Sequence, residues 1–287
     1  MLDWALPIVF AVFVWWFATG IVMLLDGLPR TTFRWSHLLS SLLALAAFVG
    51  LAQTASHTGT AGAYCAFTSA LLVWGWHELS FLTGWVTGPR KVPAAAGAQG
   101  WARFIQAVQA ILWHELAIAA SGALILALTW GQPNQIGLAT FAVLWLMRIS
   151  AKLNIFLGVR NLSLSLLPPH LRYLGSYFRQ RAMNWLFPFV VSAATAVAVV
   201  LALRLMLQPS GSAAFTGTLL VLTLLVLAIV EHALLVLPLE ATALWRWALR
   251  RHAAEPAVDC IAQRPDAAPP AVSAVPRHYD ENLSHAR

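Results

Sequence analysis

The chain has 287 residues, of which 60% are hydrophobic and 10% charged, and its mean hydropathy is +0.72. Soluble domains carry about a quarter charged residues, so this composition excludes one and predicts an all-α, polytopic membrane helix bundle whose first partner is the lipid bilayer. The net charge of +7 does not imply nucleic acid, because the basic residues lie in short links between apolar runs, where they act as topology signals.

A membrane-spanning helix needs about 20 apolar residues. Seven stretches reach that length, at 4–25, 36–55, 62–86, 104–130, 136–158, 184–207 and 214–238. The links after the first, third, fifth and seventh are basic: Arg30 and Arg34; Arg90, Lys91 and Arg103; Arg160, Arg172, Arg179 and Arg181; Arg246, Arg250 and Arg251. The links near His57, Pro133 and Pro209 contain no Lys or Arg. The positive-inside rule then predicts an outside N-terminus and an inside C-terminus. Asp3 stands where a signal peptide would be basic, so the first segment is expected to be retained. Trp4, Trp35, Trp85, Trp101, Trp130, Trp185, Trp245 and Trp247 mark segment ends, as amphipathic rings at headgroup level do. Cys65 and Cys260 form neither a disulfide framework nor a metal knuckle.

The expected organisation is a seven-helix transmembrane domain over 1–252, with an interfacial loop at 161–183, and a disordered cytoplasmic tail over 253–287. In the loop, a short helix after Pro168-Pro169 is expected to lay its leucines and aromatic rings in the headgroup region, with its arginines toward anionic lipid. A protein docking surface is the competing reading of the same residues.

Ionisable groups inside apolar segments are costly and need a partner or a function. Arg148, Lys152 and Asn154 lie within the fifth stretch, and His77-Glu78, His114-Glu115 and Glu231-His232 lie within three others. Counted from the basic links at about 1.5 Å per residue, His77, His114, Arg148 and Glu231 fall roughly 16–22 Å from the cytoplasmic charges, in one slab. Three readings follow. Glu78, Glu115 and Glu231 neutralise Arg148 and Lys152 in a buried polar network that Asn154 extends. Alternatively the carboxylates and histidines bind metal, as in di-iron helix bundles, although the Glu-x-x-His spacing of ferritin-like sites is absent. In the third reading a neutral imidazole of His77, His114 or His232 ligates a pigment or haem.

The runs VWWFATGIVMLLDGLPRTTFRW, AYCAFTSALLVWGWHELSFLTGWVTGPR, WHELAI, TWGQPNQIGLATFAVLWLMRISAKLNIFLGVRNLS and LPPHLRYLGSYFRQRAMNWLFP resemble, in order, the photosynthetic complex assembly protein 2 family, PuhE, of purple phototrophic bacteria. The resemblance extends to about Pro238. It implies a multi-pass protein of the bacterial inner (intracytoplasmic) membrane, required for efficient assembly of the reaction centre with its light-harvesting 1 ring. Its implied partners are subunits of those complexes or other assembly factors, with bacteriochlorophyll as a further candidate ligand. It carries over no catalytic residue. The opposing expectation is a membrane di-metal oxidase or hydroxylase, with iron held by the slab carboxylates and a tetrapyrrole or other lipid-phase substrate. A transporter is disfavoured, since the chain has no inverted repeat and no paired Gly/Pro-broken segments.

Overall fold

The structure, a computed structural model, describes residues 1–162, 164–238 and 245–249. The tail expected over 253–287 lies outside the described residues. Seven long helices form the body: α1 (Leu2–Asp26), α2 (Phe33–Thr54), α3 (Thr60–Leu82), α4 (Gly100–Thr129), α5 (Ile136–Leu157), α6 (Leu186–Met206) and α7 (Ala213–Val236). A short α8 (Arg246–Leu249) follows. Among the described residues there is no strand, only a single bridge between Val159 and Gln180.

The bundle is organised around α3, which packs on α1, α2, α5 and α7. Ala66, Ala70 and Val73 meet Ala47 and Leu51 of α2, Ile118 and Ile125 of α4 and Phe141 of α5. On another side, Phe67 and Leu71 meet Ala11 of α1 and Leu220 and Leu224 of α7. This central position modifies the seven-span expectation. Six helices are long and apolar enough to cross a membrane by composition, and α3 is not among them. At 23 residues it is long enough, about 34 Å. A helix surrounded by protein need not be lipophilic, however, and α3 places Gly62, Ser69, His77 and Ser80 among its buried residues.

The links sort to two ends. Asn134, between α4 and α5, donates to Thr54 O and Gly62 O across the α2–α3 link, and Asp3 lies against Gly211 between α6 and α7. At the other end, Arg30, Lys91 and His170 border one cavity, and Asn161 donates to Leu234 O and Leu237 O. The links that carry Lys and Arg therefore meet each other rather than alternate with the others.

Within 161–183 the chain forms two 3₁₀ helices, Leu164–Leu166 and Pro169–Tyr177. The leucines expected in the headgroup layer instead face protein. Leu171, Leu174 and Tyr177 are buried against Phe81 of α3 and Ala110 of α4. The reason is a set of polar ties that a lipid surface could not supply. Arg103 donates to Tyr177 O at 2.7 Å and Phe178 O at 3.2 Å, Arg90 donates to the Tyr177 hydroxyl at 2.8 Å, and His170 Nε2 bonds Leu82 O at 2.8 Å. Arg103, read from sequence as a loop charge, is buried, with its guanidinium 4.8 Å from the Phe156 ring centroid.

Two further tryptophans depart from the anchor reading. Trp245 donates to Trp16 O at 3.2 Å and packs on Trp15, while Trp247 covers Gly20. Both dress α1 rather than mark a helix end.

The α3–α4 link approaches the α4 backbone closely. The His114 N–H donates to Thr87 O at 2.9 Å and the Arg90 N–H to Gln109 O at 3.4 Å, so extended chain lies directly on a helix backbone. Non-helical backbone at such a depth is tolerated where protein covers it, and Thr87 and Gly88 are buried.

Candidate functional site

Arg148 and Lys152 stand one turn apart on α5 and so share a face. Each meets a carboxylate from a different helix. Arg148 Nη2 is 2.9 Å from Glu78 Oε2 on α3, and Lys152 Nζ is 2.5 Å from Glu115 Oε1 on α4. The two pairs differ in surroundings. The Arg148 side chain is 42% exposed beside a 15% exposed Glu78, whereas Lys152 and Glu115 are 21% and 24% exposed. Trp145, one turn before the position between the cations, points its indole N–H toward Glu115 at 3.5 Å, and Lys152 also lies 5.8 Å over the Phe81 ring.

Glu231 on α7 takes no cation in a direct pair. It is exposed at the α1–α7 seam and accepts the Trp15 indole N–H at 3.1 Å. Electrostatically it still acts on Arg148, as do Glu78 and Glu115. Three carboxylates thus lie near two cations, and Glu231 is the one that meets an indole instead of a cation.

The histidines separate into three situations. His77 bonds the Ser121 hydroxyl through Nε2 at 2.9 Å, with Trp76 packed edge-on. His232 has both nitrogens engaged: Nδ1 lies 2.9 Å from Ala228 O and Nε2 2.6 Å from the Ser150 hydroxyl. With the hydrogen on Nδ1, Nε2 accepts from Ser150. His114 is buried at 1% exposure with no hydrogen-bond partner for either nitrogen, its ring 4.5 Å from Phe81 and 6.4 Å from His77 by centroids.

Asn154 follows Lys152 by two residues on α5 and belongs to a different structure. Its Oδ1 and backbone carbonyl accept from Asn184 Nδ2, which also donates to Gly158 O at 2.9 Å. Asn184 Oδ1 in turn accepts from the backbone N–H groups of Leu186 and Phe187, capping α6. One amide thus closes α5 and opens α6. Gly158 permits this sharp exit because its φ of +126° is available only to glycine. Asn184 was missed from sequence, although Asn directly before an apolar run is a cap signal. Trp15, Ser121 and Ser150 were also missed; nothing in their local sequence distinguishes a hydrogen-bonding Trp or Ser from a packed one.

These positions bear on the ligand readings. Among the described residues, no group of three or more His, Cys, Asp or Glu is arranged to hold a metal ion. Glu78 and Glu115 face cations and Glu231 faces an indole, so the iron alternative has no ligand cluster behind it. For a pigment, His77 and His232 already bond serine hydroxyls, and His114 is enclosed by packed side chains. The two ion pairs of the layer tie α5 to α3 and to α4. One expectation follows for His114. Its two bare ring nitrogens carry a desolvation cost of about 1–3 kcal/mol without return, so His114→Leu leaves the bundle as stable or up to about 2 kcal/mol more stable. Thermal unfolding of the detergent-solubilised chain measures this, and a loss of stability would reveal a polar partner for the ring.

Helical spans of this length, mid-helix charges held in interhelical ion pairs and basic links that meet at one cavity define a polytopic helical membrane protein. The chain belongs to the family described as protein of unknown function (DUF3623), whose model matches residues 1–256. It is 37% identical over 242 residues, 83% of this chain and 88% of the relative, to a Rhodobacter capsulatus protein described as an uncharacterized 30.4 kDa protein in the puhA 5′ region. No solved structure matches it.

Proposed function

We propose that this protein is an assembly factor for the photosynthetic reaction centre and its light-harvesting 1 ring, a PuhE-type protein of the inner membrane of a phototrophic bacterium. The observation that carries the reading is the near full-length relative whose gene region is that of puhA, a reaction-centre gene. The site's chemistry is in keeping with it: ion pairs and interhelical hydrogen bonds tie α5 to α3, α4 and α7. Subunits would be met in the membrane through the exposed apolar faces, such as Phe13 and Phe17 on α1 and Val197 and Val200 on α6. Association there depends on close packing and interhelical polar contacts. In this reading the basic links face the cytoplasm, with the N-terminus outside, and bacteriochlorophyll in transit is a further candidate for the same faces.

Deleting the gene in its own host tests the proposal. The expected result is a several-fold fall in assembled reaction centre with its antenna ring, measured by absorption of isolated membranes, without accumulation of pigment precursors. Unchanged complex levels would overturn it. A precursor that builds up, together with one or two iron atoms per purified chain, would favour the oxidase alternative instead.

A further inference from the structure

At the end of the bundle where the basic links meet, a cavity of about 270 Å³ is bordered by Arg30, Lys91, His170, Thr83, Thr87 and Tyr173. Its walls come from segments far apart in the chain: Arg30 from the α1–α2 link, Lys91 from the α3–α4 link, His170 and Tyr173 from the 3₁₀ helix Pro169–Tyr177. Among the described residues no carboxylate lines it, and the ion pairs there, Arg148–Glu78 and Lys152–Glu115, do not include Arg30 or Lys91. Like charges are not brought together around an open space by their mutual interaction, which is repulsive. They are held there by the hydrogen bonds of the segments that carry them, of which His170 to Leu82 O and Arg90 to the Tyr177 hydroxyl are two.

We infer that this cavity binds a phosphate ester, with Arg30 and Lys91 as its charge partners and His170, Thr87 and Tyr173 as the hydrogen-bonding groups around it. The donors approach from three separate segments, hence from several directions, which suits a tetrahedral oxyanion better than a planar carboxylate. Phe33 and Leu171 add an apolar wall beside the start of α2, where the ester's organic part would lie. The phosphate could belong to a lipid headgroup, given the position at the end of membrane-spanning helices, or to a soluble ester. Burial holds the His170 imidazole below its usual proton affinity, and Arg30 and Lys91 push the same way. A bound anion opposes those two cations and raises the affinity, so binding takes up a proton and tightens as pH falls.

The test uses the full chain in neutral detergent, with thermal unfolding followed as phosphatidylglycerol, phosphatidylcholine or inorganic phosphate is added. Phosphatidylglycerol is expected to raise the unfolding temperature by several degrees more than phosphatidylcholine does. Arg30→Gln and Lys91→Gln should each remove more than half of that difference, while Arg172→Gln, an exposed arginine on the same 3₁₀ helix but outside the cavity, should retain it. Each shift is read against the same variant's own lipid-free baseline, so a loss of basal stability does not imitate a loss of binding. Stabilisation by inorganic phosphate with the same variant pattern would assign the site to a soluble ester. Equal responses in all three variants would reduce the effect to diffuse surface charge, and no response to either phosphate source would equally overturn the inference.

Discussion

Glu115→Leu is expected to destabilise the bundle by about 3 kcal/mol, and Glu115→Leu with Lys152→Leu to return it to within about 1 kcal/mol of the parent. The single change strands the Lys152 ammonium among α3, α4 and α5 and removes the acceptor that Trp145 faces. The cost of breaking a buried pair comes chiefly from the charge left behind, not from the attraction lost. Partial exposure of both side chains, 21% and 24%, keeps the figure at the low end of that range. Removing both partners leaves no charge to strand, and leucines fill comparable space between helices. Unfolding of single and double variants in detergent forms a double-mutant cycle, and a coupling of less than about 1 kcal/mol would show that the pair does not hold the helices. A stable double variant also separates structure from function. Should it fold and yet fail to support complex assembly, the charges would have a role beyond registering α4 on α5. Arg148→Leu should cost a similar amount, since the Glu78 carboxylate that it strands is 15% exposed, less than the 21% of Lys152.

Gly88→Ala is expected to cost more than about 3 kcal/mol or to prevent folding, a size seen for overpacking and backbone displacement. A Cβ at this position would stand 2.1 Å from Gln109 O and 2.5 Å from the Ala110 carbonyl carbon. Neither neighbour is a side chain that can rotate away. The link would have to lift off α4, breaking the bonds from His114 N–H to Thr87 O and from Arg90 N–H to Gln109 O. It would also disturb Arg90 and its tie to Tyr177, and with it the docked 3₁₀ segment. Gly75→Ala is the control: in α3 an added methyl there meets nothing within 4 Å, so the helix should gain the usual ~0.5–1 kcal/mol of alanine over glycine. If both substitutions behaved alike in thermal unfolding, the close approach at Gly88 would be refuted.

The two positions illustrate different degrees of legibility. That Glu115 and Lys152 would need partners was readable, because an ionisable group in an apolar run has few inexpensive environments. Which acid met which base was not, since Glu78, Glu115 and Glu231 occupy similar depths and only helix adjacency separates them. Gly88 gave no signal at all: in sequence it is one more glycine before a proline, and its constraint comes from α4, over twenty residues later. The 161–183 loop was ambiguous in sequence for a related reason. Its alternation of leucines, aromatics and arginines is equally suited to a bilayer surface and to a protein surface. Buried Arg103 and the Phe81–Ala110 face chose the protein.

By itself the sequence determined the all-helical membrane class, the seven helix positions to within a few residues, and the residues whose charge must be compensated. These follow from local quantities: apolar run length against bilayer thickness and the transfer cost of an ion. Tertiary structure alone decided that α3 is the central helix, that Glu231 stands apart on Trp15 while the other two acids pair, that Asn154 serves Asn184 instead of the cations, and that Arg30, Lys91 and His170 surround one cavity. Each of these depends on which helix faces point at each other, and lipid-facing and protein-facing apolar surfaces look alike in sequence because the bilayer interior is as apolar as a protein core.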